Sequence, residues 1–451
     1  MTLQCIQKIV FEEKLPQMFT LLDEGQMRSV FEQKLAFTSG FTIEKCHIER
    51  VKYRPERNCL VSYGLKLAER KTGQAKEQLL YLLAYPEGES LNRFLKAEQQ
   101  NAGAETGGGV FHLPELESVV RVFPNDRKLT ELAKLTDFNY LRNEALPAVV
   151  TKGFGEEWKI AGLNIELVQY AAERACTVRA DLELRSQLTG KTNQQVIFGK
   201  TYCADEGSNA WQLLSGLWQS EARQSGRLLI PRPLAYQPEI KTIWQSGLAG
   251  VTLNEFDCAS AEFPALLEKA GDAVAALHQS PIQTAPHISH SDLISKLEAA
   301  EKLIGSVAPS LRSKLHNLII RLADAPAKFG SRPPVTLHGD LHLKNLFVSG
   351  NRVALIDLDN VALGDPLLDV GSFVAGLQYR EILEGNSFRE SIARFVKAYR
   401  ARAGWEVSEF ALRWHTAAAL VYERAYRCIT RLKPGRLEVL DEIIDLADQT
   451  F

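Results

Sequence analysis

What the 451-residue chain lacks narrows its function before any motif is read. No apolar run approaches the ~20 residues needed to span a bilayer. The longest, Leu79–Tyr85 and Ala417–Tyr422, stop far short. The opening MTLQCIQKIVFEEKLP is broken by charges and does not read as a secretory signal. No dense Lys/Arg tract occurs, and 53 basic against 55 acidic residues leave a formal charge of −2. The electrostatic footprint of a nucleic-acid binder is therefore missing. The seven cysteines, Cys5, Cys46, Cys59, Cys176, Cys203, Cys258 and Cys428, contain no CxxC pair. An odd, scattered set argues for reduced, mostly buried thiols rather than a disulfide framework or zinc site. A cytoplasmic protein that engages neither membrane nor nucleic acid is the expectation.

What is present is a globular composition, with 45% hydrophobic residues and enough chain for about two or three domains. The first forty residues have helical spacing at Met18, Leu21, Leu22, Met27, Val30, Phe31 and Leu35. From His47 the pattern turns to alternating β-branched and aromatic residues, and Ala102–Gly109 reads as a flexible loop. Strand character returns near Val119–Phe123, followed by a helical stretch that Pro147 is expected to close.

An internal repeat organises this half. Shifting the chain by 117 positions aligns Val51–Tyr85 with Val168–Tyr202 without a gap and with twelve identities. Chance would give roughly two or three. Each copy reads as strand, Thr-Gly turn, strand. The second copy ends with Lys200 in VIFGKTY, where the first has Leu83. Lys200 is either a surface lysine at a strand end or a lysine held to meet a nucleotide phosphate. Beyond Ser208 helices dominate, near 208–225, 259–279, 290–304, 310–325, 388–403, 406–432 and 436–449, with a hairpin-like stretch over Val335–Leu358. A β-rich half followed by an α-rich half is α+β in two lobes, not alternating βαβ.

The chemistry gathers in Thr336–Asn360, TLHGDLHLKNLFVSGNRVALIDLDN. A short loop presents Asp340 and Asn345, and an apolar strand, Val353–Ile356, delivers Asp357. Phosphoryl transfer needs this set: a carboxylate to accept the nucleophile's proton, and an Asn and an Asp to hold magnesium on a triphosphate. Magnesium takes hard oxygen ligands and keeps several waters, so two protein ligands suffice. His338 and His342, four apart, read as structural rather than as a zinc pair. No GxSxG elbow supports a serine nucleophile. Trp211 and Trp218 sit at helical spacing and suit core packing. Arg424, Arg427 and Arg431 lie on a helix that either faces solvent or meets an anionic substrate.

His338-Gly339-Asp340-Leu341-His342-Leu343-Lys344-Asn345 with Ile356-Asp357-Leu358-Asp359 resembles the signature of the aminoglycoside phosphotransferase and choline kinase superfamily. The resemblance covers about residues 160–430. It implies a bilobal protein-kinase-like fold: a β-rich N-lobe over 151–250 with its hinge, and a mainly helical C-lobe over 251–451. An extra β-containing domain, a degenerate N-lobe copy over 1–150, precedes them. It implies ATP and Mg2+ as cofactors and a small hydroxyl compound as acceptor: a sugar, amino sugar or amino alcohol. By motif, Asp340 is the base, Asn345 and Asp357 the magnesium ligands, and Lys200 the phosphate lysine. Gln245–Gly247 is the hinge facing adenine, and Asp369 braces the catalytic loop. The chain departs from the pattern in having no GxGxxG loop ahead of Lys200. The turn Ala171–Thr177 offers Arg174, Thr177 and backbone N–H groups instead. The glutamate partner of Lys200 is either Glu206 or Glu221, and Asp359 either supports a second metal or hydrogen-bonds within its loop. Two other readings stand beside the kinase. A silent nucleotide-binding module is opposed by the intact Asp340, Asn345, Asp357 and Lys200. A protein kinase is opposed by the missing activation segment and APE motif.

Overall fold

A computed structural model describes residues 15–35, 40–101, 109–282, 285–329 and 332–451. Cys5 and the glycine-rich segment 102–108 lie outside them. The repeat seen over thirty-odd residues extends to a whole folded unit. The first copy is β1 (Phe41–Arg54), β2 (Asn58–Glu69), β3 (Ala75–Ala84), a helix Ser90–Asn101, β4 (Val110–Leu113) and β5 (Ser118–Val122). The second is β6 (Trp158–Ala171), β7 (Ala175–Ser186), β8 (Thr192–Tyr202), a helix Glu206–Gln219, β9 (Pro233–Gln237) and β10 (Thr242–Ser246). Both sheets run antiparallel, in the orders β1-β2-β3-β5-β4 and β6-β7-β8-β10-β9.

The unusual backbone positions repeat as well. Glu56 and Glu173 both turn the first hairpin at φ 59°, and Gly73 and Gly190 turn the second at φ 71° and 70°. Each Thr-Gly turn places glycine in the left-handed region, where a Cβ is costly. A Pro-Glu-Leu or Pro-Glu-Ile 3-10 turn then joins the last two strands, ending at Glu117 or Lys241 in the left-handed region.

The first sheet has two differently occupied faces. Val51, Tyr53, Val61, Tyr63 and Leu82 belong to a core with Met18 and Phe31 of the N-terminal helices. The same core continues into the C-terminal helices through Trp414, Cys428, Ile429 and Ile443. On the other face Leu60, Tyr81, Leu83, Tyr85 and Val119 close around Ala172, with Tyr170 packed alongside. Residues 129–150 pack under the second sheet, with Leu132, Leu141 and Val149 joining Cys176, Leu182 and Trp244.

The rest is largely helical, including Phe263–His278, His290–Val307, Arg312–Asp324, Leu367–Glu384, Arg389–Arg402 and Glu409–Ala419. Ser289 caps one helix in a box with Asp292, Ser408 caps another, and Gly385 at φ 74° ends a third. Six short strands thread this lobe: β11 (Val251–Thr252), β12 (His287–Ile288), β13 (Val335–Leu337), β14 (Leu346–Ser349), β15 (Arg352–Leu355) and β16 (Ala362–Gly364). A β-sheet lobe followed by a helical lobe, with an extra sheet in front, is the expected protein-kinase-like α+β arrangement. Among the described residues no helix is long and apolar enough to cross a membrane.

Two local expectations are corrected. Pro147 does not end the helix before it: π-type turns at Leu141–Ala145 lead into Leu146–Phe154, with Pro147 in the first turn. Within this continuous helical run the proline gives up one backbone bond, and the π-type turns before it are the irregularity that goes with it. The stretch Val335–Leu358 is not one hairpin. β14 and β15 form the hairpin, whereas β13 pairs with β16 in a separate sheet.

Candidate active site

The loop His338–Asn345 is built around one buried carboxylate. Asp369, 2% exposed, accepts the backbone N–H of His338 at 2.6 Å and of Gly339 at 3.0 Å. His278 Nε2 lies 3.1 Å from the same carboxylate, and its Nδ1 meets the Tyr399 hydroxyl at 2.8 Å. Burial alone would raise the Asp369 pKa, but His278, His338 and these hydrogen bonds outweigh it and hold it below the ordinary value. Gly339 sits at φ +77°, and a Cβ there would lie 2.0 Å from the Asn360 carbonyl. No other residue fits that position without moving the loop.

From this frame the candidate side chains converge. Asn345 is buried, and its Nδ2 donates to the Asp340 carbonyl at 2.9 Å. The Asn345 carbonyl in turn accepts Ile356 N–H at 3.0 Å, so Asn345 stands beside Asp357. Asp357 itself adopts the left-handed conformation at φ 60°, a strained state for a residue with a Cβ. Asp340 remains 29% exposed, with His342 Nε2 3.8 Å away. Burial pulls His342 below the usual imidazole pKa. His338 Nε2 meets the Ile356 carbonyl at 3.0 Å, so it ties the two motif segments together.

Lys200 arrives from the second sheet. On the ladders it faces Thr177 of β7 and Ile243 of β10. The glycine before it is dictated by packing: a Cβ on Gly199 would come within 2.6 Å of the Trp244 ring. Lys200 Nζ contacts Asp357 Oδ1 at 2.5 Å and also Asp359. Burial pulls its pKa down, but the two aspartates outweigh that and hold it above the ordinary lysine value. Asp357 is held low by Lys200 against the effect of burial, whereas burial and Asp357 push Asp359 up. The Tyr202 hydroxyl donates to Asp359 at 2.7 Å. Neither expected glutamate meets Lys200: Glu221 pairs with Arg227, and Glu206 forms no ion pair among the described residues. The carboxylates two and four residues past the hairpin strand fill that role here.

The turn ahead of Lys200 is shorter than expected, since β7 begins at Ala175 and puts Thr177 on the strand. The absent glycines are replaced by a clamp. Buried Glu173 receives both arms of the Arg127 guanidinium, at 2.7 and 2.8 Å. Asp126 accepts Glu173 N–H at 2.9 Å and the Tyr170 hydroxyl at 2.7 Å. Tyr81 of the first sheet accepts Arg127 N–H at 3.0 Å. Arg174 projects from this turn and is exposed. At the hinge, Gly247 N–H is already given to the Val196 carbonyl at 2.7 Å, and Gln245 pairs on the ladder with Phe198. Arg127, Asp126 and Tyr81 were not legible as site residues, because no motif marks a clamp assembled from segments about fifty residues apart.

Residues 218–411 match the phosphotransferase enzyme family. This is the superfamily that the motifs resemble, and the matched segment carries Asp340, Asn345, Asp357 and Asp369 but neither Lys200 nor the first sheet. No curated protein matches the chain. Among solved structures, a Streptomyces rimosus aminoglycoside phosphotransferase shares 18% identity, over 57% of this chain and 91% of its own, with a TM-score of 0.37. A Mesorhizobium loti choline/ethanolamine kinase family protein shares 14% identity, over 68% and 93%, with a TM-score of 0.44.

Two further expectations can be set against the geometry. Trp211 and Trp218 are half-buried against a core shared by the helices Glu206–Gln219 and Phe263–His278, each under a cation, Lys152 and Arg223 respectively. Arg424, Arg427 and Arg431 are half-buried, not a solvated face, and Arg424 donates to the Ser372 carbonyl at 2.9 Å. His338 and His342 join no metal-like cluster among the described residues. The one such group there is His290, Asp365 and His415, in which Arg332 already holds Asp365 at 2.9 Å.

Proposed function

We propose that the protein is an ATP-dependent kinase that phosphorylates a hydroxyl group of a small molecule. The observation that carries this reading is the meeting of Lys200 with Asp357 and Asp359 next to Asn345 and Asp340, drawn from two lobes. Asp340 accepts the proton of the acceptor hydroxyl. The freed oxygen bonds to the γ-phosphorus of ATP while the bond to the β-bridging oxygen breaks, and ADP departs. Lys200 exchanges its aspartate partners for phosphate oxygens. Arg174, Thr177 and the clamped turn cover the phosphates, and Gln245 and Gly247 border the adenine.

The donor set fits magnesium. Asn345 spends its NH2 on a carbonyl and keeps its side-chain oxygen, and Asp357 and Asp359 already hold a cation in Lys200. Bound there, the ion supplies positive charge to the triphosphate. Solved relatives named as aminoglycoside phosphotransferases include a complex with ADP and streptomycin, in keeping with a nucleotide and a small acceptor. The first unit, which we place at about residues 15–123, is proposed to bind no nucleotide, because Leu83 and its neighbours close on Ala172.

The deciding measurement is ATP turnover with magnesium against sugars, amino sugars and amino alcohols, alongside nucleotide binding. Acceptor-dependent turnover is expected, with nucleotide binding lost in Asp357→Ala. A wild-type chain that binds no nucleotide would sink the kinase reading, whereas tight binding without any turnover would favour the silent module. The clamp makes a separate forecast. Arg127→Ala should raise KM for ATP roughly three- to tenfold, with a smaller change in kcat, because it frees the turn rather than the base. Equal KM in steady-state kinetics would remove the clamp from the nucleotide site.

A further inference from the structure

The kinase reading leaves the acceptor without a chemical class, and the charges around Asp340 supply one. Strand β1 carries Arg50, Lys52 and Arg54 at a period of two, all half-buried, between the core residues Val51 and Tyr53. It packs against the helix Tyr426–Thr430, whose Cys428 and Ile429 share that core. Arg427 and Arg431, at the end of that helix, are also half-buried. Arg174 comes from the clamped turn of the second sheet. These groups act on one another: Arg431 and Arg174 both bear on Arg50 and Lys52, and Arg427, Arg174 and Arg54 bear on Arg431. The acid among them is Asp340, which bears on Arg431.

Among the described residues none of Arg50, Lys52, Arg174, Arg427 and Arg431 forms an ion pair. Among the described residues the Arg54 side chain donates to the Asn58 amide oxygen at 3.0 Å and meets no carboxylate. Burial first, and then these neighbouring cations, push Lys52 down to about 8 and Arg50 to about 10. Gathering half-buried cations without a counter-charge costs stability. Lys200 has its own two carboxylates, whereas the acid that bears on this unpaired cluster is Asp340, through Arg431.

We propose that Arg50, Lys52 and Arg431 form a subsite for an oxyanion, phosphate or carboxylate, borne by the hydroxyl compound that Asp340 deprotonates. This rests on the kinase reading for the role of Asp340. It gives the first sheet a function: its edge strand, which lies outside the segment that matches the family, supplies acceptor-recognising charges. It also makes polycationic amino sugars poor acceptors.

The test uses the full chain loaded with Mg2+ and AMP-PNP, titrated calorimetrically with inorganic phosphate and, in parallel, with acetate. Saturable phosphate or acetate binding to the loaded protein is expected, weakened at least tenfold in R50Q/K52Q, with AMP-PNP affinity changed less than twofold. The tighter of the two anions assigns the acceptor's group. Arg431→Gln serves as the second variant if the double one fails to fold. Anion binding that competes with AMP-PNP would assign the cluster to the triphosphate and overturn the proposal. So would unchanged binding in the variants, or none in the wild type. Failure of AMP-PNP to bind would instead defeat the kinase reading, and titration of the unloaded chain and the same variants would still decide whether an oxyanion site exists.

Discussion

Replacing Asp340 with Asn is expected to lower kcat by roughly 10²–10⁴-fold, the range over which a positioned general base contributes. Folding should be unaffected. The side chain is 29% exposed, its ion-pair partner among the described residues is His342 at 3.8 Å, and the bond from Asn345 goes to its backbone carbonyl, which the substitution keeps. Nucleotide binding should therefore survive, which separates this variant from Asp357→Ala. Single-turnover kinetics with nucleotide titration read the two apart. If kcat stayed within a factor of a few of wild type, Asp340 would not be the base, and the role would have to pass to another group such as His342.

The second large effect concerns stability. Asp369→Ala leaves the N–H groups of His338 and Gly339 and one nitrogen of His278 facing an apolar methyl in a site that is 2% exposed. Stranding buried polar groups of this kind costs about 3–5 kcal/mol. Equilibrium denaturation should show that loss, together with a fall in kcat as the loop carrying Asp340 loosens. The sign with pH follows from the lowered Asp369 pKa. Its stabilisation is fully present above the ordinary carboxylate value of 3.8 and is lost as pH falls below that, through the folded-state value. The alanine variant should lack this part of the acid sensitivity. A denaturation midpoint equal to wild type would show that the loop is held by something other than this carboxylate.

The candidate site was legible where it lay within one short segment. Asp340, Asn345 and Asp357 fall inside twenty residues, and their order and spacing alone place them on a loop and a strand end. Lys200 could be found because duplication supplied a comparison, with Leu83 marking what an ordinary residue does at that position. The extent of the duplication was not legible. The last two strands of the copies are displaced by 124 residues rather than 117, so a gapless shift loses them after Tyr85. The partners of Lys200 were misplaced for a related reason. A glutamate on the following helix was expected, whereas Asp357 and Asp359 stand more than 150 residues away and meet it through tertiary packing. Pro147 misled because proline both breaks helices and begins them, and only the course of the preceding turns decides which.

The clamp on the Ala171–Ala175 turn has a consequence for how nucleotide binding is driven. A glycine-rich flap must give up its freedom each time ATP enters, and that lost entropy weakens the complex. Here Arg127, Asp126 and the packing around Ala172 fix the turn when the chain folds, so that the loss falls on folding and not on binding. Amide protons of the turn should exchange slowly even in the nucleotide-free protein. ATP should then bind with a smaller entropic penalty than a loop that must order itself would impose. On the proposed reading the first copy acts as a splint, its packing on Ala172 lending rigidity to its twin.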